Sequence, residues 1–260
     1  MDQDGYFGES IAATYDDPDS TEFSPAVVGT TVDVLASLAQ RPGAAPGRAL
    51  EFAVGTGRIA LPLAARGVEV AGIELSNAMV ERLRAKPGAD AVRVTVGDMT
   101  TTRVDGAYDL VFLVFNTVMN LTTQEAQVAC FRNAAAHLAP GGRFLIEVMV
   151  PELRRLPPGQ TMVPWLDGEN RWAFDRYDTA TQAMSSNYVE PGEFRSIPFR
   201  YAWPAELDLM AQLAGLHLEA RWEDWHRTPF THESTKHVSV WRKPPEPQAG
   251  TDSLDSSSGR

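Results

Sequence analysis

Four apolar runs in the first half of this chain each end on residues that can hold polar groups. Residues 49–57, Ala-Leu-Glu-Phe-Ala-Val-Gly-Thr-Gly, run into a tight Gly-x-Gly turn, with Glu51 four residues before Gly55. The run 68–75 closes on Glu74 and Leu75, and 92–99 closes on Gly97-Asp98-Met99. The run 108–115 ends on Phe115 and leads into Asn116. Glycines at 55 and 57 let the backbone turn sharply and come close to a ligand. Carboxylates at successive strand ends are suited to gripping hydroxyls and amines. They would repel a pyrophosphate, although Gly55-x-Gly57-x-x-Ala60 does fit a dinucleotide fingerprint.

Strands alternating with helical segments imply a parallel sheet covered on both faces, with ligands beyond the carboxyl ends of its strands. The expected order begins with a helical cap over residues 1–45, containing Ile11–Asp16 and a helix from Val27 to Leu38. A core over 46–150 follows, with strands at 48–54, 68–75, 92–98, 108–115 and 143–150, and a helix starting near Gly57. Ser76 is placed to cap the next helix, which runs to about Lys86, and Thr122-Thr-Gln-Glu125 matches a capping box. From 151 to 203 the character changes. Nine aromatics fall between 160 and 205 and polar turns such as Glu190-Pro-Gly-Glu193 separate the extended runs, which predicts a β-hairpin insertion. Residues 204–243 return to the core, with a helix from Pro204 to Gly215 and strands at 216–225 and 236–241. The Pro-, Ser- and Gly-rich stretch 244–260 is expected to be a disordered tail.

Composition narrows the function classes. An apolar content of 43% over 260 residues is enough for a large core, and no apolar run is long enough for a membrane span. The net charge is −11, and no basic stripe interrupts it, so nucleic acid is not an expected partner. The single Cys130 permits no internal disulfide and lies in an apolar helical stripe with Val128, Phe131, Ala135 and Leu138. A cytoplasmic protein, monomer or homodimer, with no membrane attachment is the expectation.

The ordered motifs Glu51-Phe-Ala-Val-Gly-Thr-Gly57, Glu74-Leu-Ser-Asn-Ala-Met79, Gly97-Asp98-Met99 and Leu138-Ala-Pro-Gly-Gly142 resemble those of the class I S-adenosylmethionine-dependent methyltransferases. The likeness spans about residues 8–150 and continues more loosely to about 243. It implies a Rossmann-like, doubly wound α/β fold with a mostly parallel seven-stranded sheet, a helical N-terminal cap and a β-hairpin insertion. It also implies S-adenosylmethionine as cofactor, S-adenosylhomocysteine as product, and no metal.

Carried over residue by residue, the resemblance assigns Glu51 to the methionine ammonium, and Ala53, Gly55 and Gly57 to the methionine and ribose. Glu74 takes the ribose hydroxyls, Asp98 the adenine amino group, and Leu75, Met79 and Met99 the ring. Phe115 and Asn116 fall nearest the sulfonium. Met79 reads equally well as helix core. Tyr15 matches a position that closes over the cofactor, and a buried structural tyrosine fits it as well. If a base is needed, Glu147 is the first choice among Tyr15, Glu147, His226, His232 and His237, and a structural partner for a basic side chain is the alternative. The insertion is the expected acceptor lid, with Asn120, Trp165, Tyr177, Tyr201 and His226 as candidate acceptor contacts.

Phe115-Asn-Thr-Val118 departs from the Asn/Asp-Pro-Pro-Tyr of enzymes that methylate nucleobase nitrogens. The closest local likeness is to bacterial amino-sugar and peptide N-terminal N-methyltransferases of secondary metabolism. In the amino-sugar enzymes a histidine commonly stands where this chain has Asn120. The expectation is therefore methyl transfer to a nitrogen or oxygen of a small molecule, nitrogen preferred. Two rivals remain: an NAD(P)-dependent oxidoreductase, and a non-catalytic S-adenosylmethionine-binding module.

Overall fold

A computed structural model describes residues 6–16, 24–40 and 46–246. The expected tail from 247 onward and the remaining parts of the N-terminal cap lie outside the described residues. The chain opens with α1 (Glu9–Ala12) and α2 (Pro25–Ala39), the latter capped by Ser24 with Pro25 in its first turn. Alternation follows: β1 (Arg48–Phe52), α3 (Ala60–Ala65), β2 (Glu69–Glu74), α4 (Asn77–Arg84), β3 (Val92–Val96), β4 (Tyr108–Leu113), α5 (Gln124–His137) and β5 (Leu138–Met149). Four strands come next, β6 (Met162–Asp167), β7 (Trp172–Tyr177), β8 (Ala183–Glu190) and β9 (Glu193–Arg200). The chain closes with α6 (Pro204–Leu213), β10 (His217–Trp222) and β11 (Lys236–Arg242).

Seven strands form one sheet in the order β10-β11-β5-β4-β1-β2-β3, parallel from β5 to β3, with β10 and β11 antiparallel at one edge. Strand order reverses between β1 and β4, and the crevice at their carboxyl ends is where such sheets bind ligands. Both faces are covered. Leu50 and Phe52 of β1 join a core with α5 and α6, while Ala49 joins a second core with α2 and α3. Phe131, Phe144 and Trp241 pack edge to face or tilted at 5.0–6.1 Å in the first core, beside the fully buried Cys130. Burial in apolar surroundings pushes the Cys130 thiol far above its ordinary range.

The expected insertion is a four-stranded antiparallel sheet in the order β6-β7-β8-β9. Pro191 and Gly192 (φ 81°) make the two-residue turn between β8 and β9. Its root is joined to the main core through Val163, Tyr177, Met184 and Tyr201. A buried polar joint reinforces the junction: Arg200 donates to Gln127 of α5 (2.6 Å), Gln182 (2.9 Å) and Glu206 of α6 (2.7 Å).

Several boundaries differ from expectation. The helix after the glycine turn starts at Ala60 rather than near Gly57, because Gly57 is held at φ 79°. Thr123, not Thr122, caps α5 by accepting from Ala126 N, and β5 begins five residues early, at Leu138.

Arg200→Ala leaves Gln127, Gln182 and Glu206 without their common donor. It should lower stability by roughly 3–5 kcal/mol in urea unfolding, and a loss under about 1 kcal/mol would show that the joint does not bear on stability.

Candidate active site

The glycine turn is fixed by a carboxylate. Glu74, buried at the end of β2, accepts from Gly55 N through Oε2 (2.8 Å) and from Ser76 N through Oε1 (2.9 Å). Gly55 (φ 56°) and Gly57 (φ 79°) both need the left-handed region, and a Cβ on Gly57 would press into Leu83 and Leu61. Ser76 in turn caps α4 through Met79 N (3.2 Å) and donates its hydroxyl to Phe7 O (2.7 Å). A carboxylate has about four lone-pair sites, so these two bonds do not exhaust what Glu74 can accept.

Glu51 lies beside it in β1, 3% exposed, with its Oε2 buried and unpartnered among the described residues. Burial raises its carboxyl well above the usual carboxylate range, and Glu74 raises it further. The Arg58 guanidinium and a bond from Ala60 N act in the opposite sense. An orphaned buried acceptor calls for a donor, and a cationic amine would fill this one.

The N-terminal segment closes one side. Phe7, Ile11 and Tyr15 pack on Ala12, Ala78 and Met79, and the rings of Tyr6, Phe7 and Tyr15 follow one another at 5.5 and 6.2 Å. Polar bonds hold it down: Thr56 Oγ1 donates to Asp16 (2.6 Å), Lys86 pairs with Asp16 (2.6 Å), and Arg82 pairs with Glu9 (2.8 Å). Burial raises the Tyr15 hydroxyl; Arg58 opposes this, while Glu74, Asp16 and Glu51 add to it.

On the opposite side, Phe115 (φ 60°) and Asn116 (φ 62°) form two consecutive left-handed residues after β4. Asparagine tolerates this region, but phenylalanine does not without support. Support comes from β5. Glu147 Oε2 accepts from Phe115 N (3.0 Å), Glu147 O accepts from Asn116 N (3.2 Å), and Met149 N donates to Asn116 Oδ1 (2.7 Å). The second carboxylate oxygen of Glu147 accepts from Trp225 Nε1 (2.7 Å). The Phe115 ring, 37% exposed, lies 5.1 Å from the Arg58 guanidinium.

Known proteins share this fold. Residues 49–142 match the model of a methyltransferase domain. The methyltransferase CcbJ of Streptomyces caelestis is 36% identical in sequence and superposes with a TM-score of 0.77 over 92% of this chain and 98% of its own. This chain belongs to the class I S-adenosylmethionine-dependent methyltransferases. The cypemycin N-terminal methyltransferase of a Streptomyces species is 27% identical over 198 residues, 74% of this chain and 81% of that protein. An amino pentose methyltransferase from Micromonospora echinaspora, solved with S-adenosylmethionine bound, shares the fold at 24% identity and a TM-score of 0.61, over 89% of this chain and 95% of its own. The oxidoreductase alternative meets a physical obstacle as well: Glu74 occupies the Gly55 amide that a pyrophosphate would need.

Other expected contacts of the methyltransferase fall in different places. Asp98 is exposed after β3, with Oδ1 accepting from Thr100 N (2.7 Å). Leu75 is exposed, Met79 is buried under the N-terminal segment, and Met99 packs against the main core. Ala53 (φ 52°) lies in the turn itself. Tyr177 and Tyr201 are not open to a ligand; they are 1% and 2% exposed and pack on each other at 5.7 Å in the root of the four-stranded sheet. Trp165 is exposed and donates to Asp175 (3.1 Å), and Asn120 ends the short helical turn Thr117–Asn120. His226 is exposed next to Asp224; its neighbour Trp225 is the residue that reaches Glu147. His232 is exposed, and His237 is fully buried, its pKa lowered to about 3 mainly by burial and bonded through Nδ1 to Ser239.

Sequence reasoning missed Arg58, Phe7 and Trp225. Arg58 had a signal: a cation directly after the Gly-x-Gly turn, near a helix start where positive charge is unfavourable.

Because the Glu51 pKa is raised on folding, its contribution to stability is fully present below the unfolded carboxylate pKa and is lost as pH rises through the folded value. Glu51→Gln should therefore raise Tm more at about pH 8 than at about pH 5. An equal shift at both values would mean that Glu51 ionises freely.

Proposed function

We propose that this methyltransferase moves the methyl group of S-adenosylmethionine onto an amine nitrogen of a small molecule or peptide end, as a step in secondary metabolism. The cofactor supplies an electrophilic methyl group on a sulfonium. Glu51, with its unpartnered buried oxygen, would hold the methionine ammonium, and Arg58 its carboxylate. Glu74 would accept the ribose hydroxyls alongside its two backbone donors, and Asp98 the adenine amino group, with Leu75 and Met99 against the ring. Phe115, Asn116 and Tyr15 would wall the reacting atoms.

The observation favouring nitrogen is the surroundings of the two candidate bases, Glu147 and Tyr15. Glu147 is committed to holding Phe115 N and Trp225 Nε1, and burial raises the Tyr15 hydroxyl above its ordinary range. An alcohol acceptor would need a base within about 2.6–3.2 Å of its proton. A neutral amine does not, and aromatic faces stabilise the cation it becomes. Orientation alone can supply on the order of 7–11 kcal/mol of barrier reduction. The held Phe115–Asn116 turn and the clamped N-terminal segment serve that purpose. The relative named as an N-terminal methyltransferase agrees with this choice. The segment 151–203 serves as acceptor lid, with its inner face turned toward Tyr6.

Calorimetry should show S-adenosylhomocysteine binding and no NAD binding; the reverse would remove the proposal. Glu74→Ala should weaken S-adenosylhomocysteine binding by about 1.5–3 kcal/mol or more, since the ribose contact and the support of Gly55 N are lost together. Unchanged affinity would remove the ribose role.

Glu147→Gln separates support from base chemistry. As a positioning residue, Glu147 replaced by Gln keeps one of its two acceptors, so kcat should fall by no more than about tenfold, whereas removal of a general base costs about 10²–10⁴. A loss in the latter range, with unchanged cofactor affinity, would restore Glu147 as the base.

A further inference from the structure

Arg195 on β9 stands apart from the other shielded arginines. Arg48, Arg143, Arg200 and Arg221 each face a carboxylate, from Glu69, Glu219, Glu206 and Asp208 respectively. Arg195 is half-buried, makes no hydrogen bond or ion pair among the described residues, and leaves its Nε buried without an acceptor. It is nonetheless held in place. Its guanidinium lies 4.8 Å from the centroid of the Tyr188 ring, which packs edge to face on Trp165 at 5.5 Å. Arg171 also approaches Tyr188, at 5.9 Å, but is neutralised by Glu190 (3.0 Å). A pre-positioned, unneutralised guanidinium in a chain of net charge −11 has donors to spare for an anion.

Register places it on the face of the four-stranded sheet that Tyr6 approaches. Tyr188 and Arg195 are direct cross-strand partners, two residues along from Ser186 and Ile197 and four from Met184 and Phe199. Side chains alternate across a strand, so all six share the face whose root packs into the main core through Met184 and Phe199. Tyr6 lies within electrostatic reach of both Arg195 and Tyr188. From Tyr6 the rings of Phe7 and Tyr15 lead in two steps to the Glu51–Glu74 end of the cleft.

The geometry points to Arg195 as the acceptor-binding residue for a carboxylate carried at the end of the acceptor remote from the methylated nitrogen, an assignment that rests on this cleft being the acceptor site. The planar fork of an arginine matches a carboxylate with two parallel bonds. One guanidinium balances one negative charge, whereas a phosphate monoester carries about −1.5 to −2 and would leave excess charge. The acceptor class is then an amino acid-like molecule, with an amine at one end, an apolar middle that the aromatic rings can cover, and a carboxylate at the other end.

The test uses the full-length protein saturated with S-adenosylhomocysteine, titrated calorimetrically with a length series of ω-amino carboxylates and the matching ω-amino carboxamides. At a length that spans the cleft, the carboxylate should bind at least about tenfold more tightly than its amide. Arg195→Met should bring that ratio to about one, and Arg195→Lys should retain part of it, with S-adenosylhomocysteine affinity unchanged in both variants. Equal binding of acid and amide at every length, no binding across the series, or a preference that survives Arg195→Met overturns the assignment. Failure of S-adenosylhomocysteine to bind the unaltered protein strikes the methyl-transfer proposal instead, so the two failures are distinguishable.

Discussion

The bridge made by the Glu74 carboxylate, from Gly55 N to Ser76 N, is the constraint on which the rest of the site depends. A buried carboxylate needs compensation, and here backbone amides provide it, one from a left-handed turn and one from the start of a helix. The same two bonds fix the glycine turn and the entry into α4. Through the Ser76 hydroxyl they also fix the segment carrying Phe7 and Tyr15. Local backbone, helix cap and pocket wall thus share one electrostatic anchor.

A second carboxylate plays the matching part across the crevice. Glu147 holds the two left-handed residues after β4, whose strain would otherwise cost about 1–3 kcal/mol each. Between these two braced walls lies Glu51, which has a buried oxygen with no bond among the described residues. Acids with similar surroundings in sequence therefore take different roles. Two hold the backbone still, and the third has a buried oxygen that neither backbone nor side chain of the described residues fills.

Much of this was legible in the sequence. The alternation of strands and helices, the Gly55–Gly57 turn, the Ser76 cap and the carboxylate edge follow from short-range periodicity and turn chemistry, and the structure has each of them. Boundaries slipped where neighbours are chemically equivalent, as with Thr122 and Thr123. Tyr177 and Tyr201 look like the other aromatics of the insertion in sequence, because only the packing of that sheet on the core decides which rings are sealed in. Trp225 could not be found locally either, since its bond to Glu147 spans 78 residues.

Cys130 has a practical consequence. It is the only thiol in the chain, it has no exposed surface, and its surroundings disfavour the thiolate. Alkylating dyes and spin labels will pass it by in the folded protein. One cysteine introduced on the outer face of the four-stranded sheet would then be the sole point of attachment, and its spectroscopic signal would come from that sheet alone.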